Sequence, residues 1–153
     1  MDKLETLYDF ASASDIDVIN RNINGAKKSA CMHLKPYRLI IMDHAAIESR
    51  AEETALLAEE IGHYRTGGLY IIETSHNTPM ARNNRIKYEA QAMQWAYKHF
   101  LTQEEIEAAY KAEGPSDWPM AEYCQVTVEF LHKAIEYHRS CGVVFSFTNY
   151  DCA

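Results

Sequence analysis

SRAEETALLAEEIGHYRTG, residues 49–67, is the stretch on which the fold turns. Ser49 is a good helix cap, and Glu52 follows three positions later, as in a capping box. Thr54, Leu57, Ala58 and Ile61 then recur at helical spacing up to about Tyr64. Thr66-Gly67-Gly68 ends the run, because glycine enters the left-handed conformation cheaply.

Toward the N-terminus, residues 1–14 read as a short helix with Leu4, Leu7, Tyr8 and Ala11 on one face. Three candidate strands follow: the alternating Asp15–Ile19, Ser29–Leu34, and the apolar run Tyr37–Met42. Asn24-Gly25 and Lys35-Pro36 break the chain between them. A small antiparallel sheet is the economical expectation. Toward the C-terminus, Leu69–Glu73 reads as a short strand leading into a polar loop with His76, Pro79, Asn83 and Asn84. A helix is expected over Ile86–Phe100, with Ile86, Ala90, Met93, Tyr97 and Phe100 in one stripe. Thr102 with Glu105 opens a further helix that stops near Gly114-Pro115. Asp117–Cys124 and Thr127–Ser140 make two more, and Val143–Thr148 is a strand or an ordered tail. The expected class is α+β in one domain, 1–153: a site-bearing part over 1–101, a helical C-terminal lobe over 102–142, and a tail over 143–153.

Composition removes several function classes. The net charge is -7 and no run is rich in lysine or arginine, which argues against a phosphate-binding footprint and direct nucleic-acid binding. No apolar stretch approaches the roughly 20 residues that a spanning helix needs, and MDKLETLYDF has no apolar signal-peptide core. Cys31, Cys124, Cys141 and Cys152 form no CxxC pair, so reduced thiols in a cytoplasmic protein are expected.

Glu59 and His63 are four residues apart, so on a helix they project from one face a turn apart and can share an ion. Glu60 lies between them, where a carboxylate can take a proton from an activated water. Gly62 leaves room for another segment to come close. Without outside support the same pattern also describes an amphipathic helix with an acidic face and one ordinary histidine. Glu89, at the start of the expected second long helix, is a candidate third ligand, or simply a carboxylate favoured in a first helical turn.

LLAEEIGHYRTG (56–67), followed by NNRIKYEAQAMQWAYKHFLTQEEI (83–106), resembles the ImmA/IrrE family of metallo-endopeptidases, especially its short phage and mobile-element members. YRLIIMD (37–43) and WPMAEYCQVTVEFLHKAIEYH (118–138) extend the likeness over about residues 15–140. The resemblance implies zincin-like active-site helices, a zinc cofactor and cleavage of a specific protein, typically a helix-turn-helix repressor of a mobile element. Glu60 matches the general base, His63 the second histidine ligand and Glu89 the acidic third ligand. Glu59 stands where the family has its first histidine. Carboxylate oxygen is an acceptable zinc donor, but two carboxylates and one imidazole leave the ion a weaker Lewis acid and let Mn2+ compete better. A metal-free module that keeps the scaffold and docks a repressor is the alternative reading.

Tyr64 is a packed helix-end residue or a hydroxyl donor to a developing oxyanion. His76 is a loop histidine or a substitute ligand. Residues 117–140 have the outline of a helix-turn-helix, but the second helix opens Thr127-Val128-Glu129-Phe130, with a carboxylate toward any phosphate, so the lobe is expected to pack or hold protein rather than read DNA.

Overall fold

The computed structural model describes residues 2–34 (backbone alone at 33 and 34), 36–67 and 78–147. Lys35, Gly68, the expected strand Leu69–Glu73, His76 and residues from Thr148 onward lie outside the described residues. Helix α1 spans Lys3–Ala13 and is capped by Asp2, whose carboxylate accepts the Leu4 and Glu5 N–H groups. Strands β1 (Ile16–Asn20), β2 (Ser29–Leu34) and β3 (Tyr37–Met42) follow. The helices are α2 (Arg50–Thr66), α3 (Pro79–Phe100), α4 (Gln103–Glu113), α5 (Asp117–Tyr123) and α6 (Val128–Ser140). The molecule is α+β and helix-rich.

The sheet is mixed, not antiparallel as expected. Its order is β1-β3-β2, with β2 antiparallel and β1 parallel to the central β3. The turn at Pro36 joins β2 and β3 as a hairpin, which forces their antiparallel pairing. Residues 21–28 carry the chain from β1 past one strand position, and β3 fills the gap. Turn signals mark where strands end, not which strands become neighbours. Ile40 and Met42 on β3 are fully buried, as the central strand requires.

Helix α2 begins as expected, with the Ser49 hydroxyl accepting the Glu52 N–H at 3.1 Å. The reciprocal half of the box is displaced by one residue: Glu52 accepts the N–H of Glu48, at 2.7 Å, instead of that of Ser49. Gly67, at φ 72°, closes the helix. The Tyr64 hydroxyl inserts between β2 and β3, accepting the Leu39 N–H at 2.6 Å and donating to the Met32 carbonyl. That fastens α2 to the sheet and commits Tyr64 to structure rather than to an oxyanion.

Helix α3 starts at Pro79, seven residues before the expected Ile86. Thr78 caps it by accepting the Ala81 N–H at 3.1 Å, and Pro79 occupies the first turn, where its missing N–H costs nothing. Glu89 therefore lies well inside α3, not at its start. The expected stripe holds in its second half only: Tyr97 is buried and Met93 and Phe100 pack against the core, whereas Ile86 and Ala90 are exposed and Ala92 and Ala96 are buried in addition. The reason lies across the interface. A Cβ on Gly62 would overlap the Ala92 carbonyl oxygen, so α2 and α3 approach along small residues.

The lobe is built by ordinary rules. Thr102 and Glu105 form a complete capping box on α4, and Thr127 caps α6. Phe145 and Phe147 form an ordered tail without strand structure, stacked at 5.0 Å, with Phe147 against Tyr110. One cluster of buried side chains runs from Leu4 through Ile40, Leu57 and Ile106 to Phe147, each fully buried leucine or isoleucine contributing roughly 1.5–3 kcal/mol.

Candidate metal centre

Helix α2 turns different faces to different partners. Glu53 and Tyr64 face α1 and the sheet, whereas Glu52, Leu56, Glu59, Glu60 and His63 line an open cleft, with Glu60 also bonded to Ser29 of β2. The cleft, about 380 Å3, lies between α2, β2 and Glu89 of α3. Close packing at Gly62 brings α3 near enough for Glu89 to reach across.

The structure brings Glu59, His63 and Glu89 together. Each offers one ligand atom, and these atoms all lie within 4.8 Å of one another. His63 Nε2 and Glu89 Oε2 are 3.1 Å apart. Around a tetrahedral zinc ion, donors at about 2.0–2.1 Å stand roughly 3.3 Å from each other. The closest pair, at 3.1 Å, is near that spacing.

Negative charge outweighs positive around the cluster, although Lys27 on the cleft wall acts on both Glu59 and Glu89. Burial and the neighbouring Glu60 raise the Glu59 carboxyl above its ordinary pKa. Burial works against a charged His63, but its hydrogen bond to Glu89 and the charges of Glu89, Glu60 and Glu59 outweigh it and raise the imidazole. The same hydrogen bond lowers Glu89. Three carboxylates thus surround one imidazole, while the nearby Lys28 is engaged with Glu52 at 2.8 Å. Among the described residues His63 Nδ1 is buried without a hydrogen-bond partner.

Glu60 is buried one position round the helix from the cluster, and the Ser29 hydroxyl donates to its Oε1 at 2.6 Å. The Cys31 thiol also faces Glu60; burial first, and that carboxylate second, push its pKa far above the usual thiol value, so it is no nucleophile. Ser29 and Cys31 are two apart on β2 and therefore share a face. That alternation is the sequence signal that places them together. Tyr97, expected only on the buried stripe of this helix, stands close enough to Glu59 for that carboxylate to add to the burial that raises its phenol.

Among the described residues no helix is long and apolar enough to cross a membrane. No family model, curated protein or solved structure matches the chain.

Proposed function

We propose that this chain is a divalent-metal-dependent endopeptidase, with zinc as the expected ion and manganese its competitor, acting on a specific cytoplasmic protein. On the resemblance, that protein is a helix-turn-helix repressor of a mobile element. The observation that carries the reading is the convergence of Glu59, His63 and Glu89 within 4.8 Å at an open cleft, with Glu60 buried beside them.

The donor set fits a cation. Oxygen and imidazole nitrogen are zinc donors, and three carboxylates around one imidazole need positive charge that the local lysines do not fully supply. A bound divalent ion would supply Lewis acidity to a water and to the scissile carbonyl. The chain's own residues do the rest. Ser29 holds one oxygen of Glu60 and so fixes the carboxylate plane. Glu60 accepts the proton from the attacking water and hands it to the leaving amine. β2 has no second strand neighbour among the described residues, so an extended peptide can lie along its free edge.

A second reading has one observation in its favour: His63 and Glu89 satisfy each other at 3.1 Å without a cation. On that reading the chain is a metal-free module that docks a protein. Metal analysis with Glu60→Gln separates the two. The peptidase account expects near-stoichiometric metal in both wild type and variant, and turnover of an unfolded protein substrate reduced about 10²–10⁴-fold in the variant. Equal turnover removes Glu60 from the base role, and absence of metal after incubation with zinc supports the docking module. Glu59→His should tighten zinc binding; unchanged affinity would mean that position 59 does not touch the ion.

A further inference from the structure

A second cavity, about 240 Å3, opens beyond Glu59 between α2, α3 and α6. It adjoins the cleft, since Glu52, Leu56 and Glu59 line both. Its lining is mixed: Leu56 and Ala55 from α2, Met93 and Tyr97 from α3 and Phe130 from α6 form an apolar side, and Glu52, Glu59, Thr127, Glu129 and Lys133 a polar one. Tyr97 and Phe130 meet edge to face at 5.0 Å, which makes a firm back wall. The charged groups at its mouth are largely neutralised in pairs, Lys133 with Glu129 at 2.7 Å and Lys28 with Glu52 at 2.8 Å.

Resting on the peptidase reading, we infer that this cavity is the specificity pocket of the site and takes one large apolar side chain, leucine, methionine or phenylalanine, from the residue on one fixed side of the scissile bond. Leu56 is the sill between the two spaces, half-buried where a wholly structural leucine on α2 would be covered, as Leu57 is. A peptide backbone lying in the cleft with its scissile carbonyl at Glu59, His63 and Glu89 has the pocket within one side chain's reach, since Glu59 borders both. An acidic side chain gains little there, because Lys133 is already paired with Glu129 and Glu59 adds a carboxylate. The wall contributed by α6 also explains what the lobe does for the site: it closes one side of the pocket.

The test needs a binding readout as well as turnover. Capped pentapeptides Ala-Ala-Xaa-Ala-Ala, with Xaa leucine, phenylalanine, alanine or aspartate, are titrated into metal-free and zinc-loaded Glu60→Gln protein and followed by amide NMR. Leucine and phenylalanine peptides are expected to bind at least tenfold tighter than alanine or aspartate, with shifts centred on Ala55, Leu56, Met93 and Phe130. Ala55→Leu narrows the pocket and should abolish the preference, and Met93→Ala enlarges it and should favour phenylalanine over leucine. Equal affinities for all four peptides, or shifts centred elsewhere, would overturn the pocket. In parallel, wild type digests an unfolded protein and the cut sites are mapped by mass spectrometry. Metal-dependent cutting with no side-chain preference sinks the pocket and keeps the peptidase. Selective binding without any cutting keeps the pocket and sinks the peptidase.

Discussion

Among the described residues, buried polar groups of the helical lobe are paired and its apolar stripes face inward, whereas the cleft gathers Glu59, Glu60 and Glu89 around one imidazole and leaves a buried ring nitrogen without a partner. The contrast between two buried histidines makes the point. His138 of α6 donates to the Leu101 carbonyl at 2.8 Å and is neatly satisfied. His63 of α2 sits among acids with Nδ1 unpaired. Leaving such a group buried costs about 1–3 kcal/mol; Asp43 Oδ1 carries that cost too, but among the described residues only His63 combines it with a cluster of acidic side chains. Departures of that kind concentrate at functional sites. The lobe teaches what this chain does when only stability is at stake, and the cleft is measured against it.

Leu131→Ala should separate the regions most forcefully. Leu131 is fully buried in α6, and truncation should cost about 2–5 kcal/mol in denaturant unfolding. Zinc affinity of the protein that remains folded should be unchanged. A parallel loss of affinity would show that lobe and site are one mechanical unit, breaking the comparison.

Gly62→Ala reverses the pattern. The added methyl overlaps the Ala92 carbonyl oxygen, so α2 and α3 must move apart, at about 1–3 kcal/mol for overpacking. Here zinc affinity should fall together with stability, because His63 and Glu89 sit on the two helices that separate. A calorimetric titration beside a thermal melt reads both. Loss of stability with intact affinity would mean that helix spacing does not set the ligand geometry.

The smallest effect is alkaline. Burial pushes the Tyr64 phenol up to about 12 from its ordinary 10.0. The folded protein therefore holds that proton where the unfolded chain has lost it. The resulting stability is complete below pH 10 and is lost as pH rises toward about 12. Tyr64→Phe should be less stable at neutral pH, having lost the sheet hydrogen bonds, but show a shallower decline above pH 10. Identical alkaline slopes would place the titration on other groups.

Much of this architecture was legible because it is local. Ser49, Thr102 and Gly67 announce helix ends through groups within three or four residues, and the strand bounds follow from alternation between turns. The capping signal of Thr78-Pro79 was equally local, but Asn83 and Asn84 masked it by imitating a loop, which shifted the expected start of α3 and the register of its buried stripe. Strand order was not legible, since the parallel pairing of β1 with β3 depends on a partner more than twenty residues away. At the site, the i, i+4 spacing of Glu59 and His63 could be read directly. Ser29, Leu56 and Tyr97 could not, because nothing in their own neighbourhoods says which space they will line.

The central claim is that Glu59, His63 and Glu89 share one divalent ion, and anomalous X-ray scattering from zinc-soaked crystals tests it most directly. The account predicts a peak at the zinc edge about 2.0–2.2 Å from His63 and from the Glu59 and Glu89 carboxylates, lost in His63→Ala. Zinc-soaked crystals with no peak between these three side chains would contradict it.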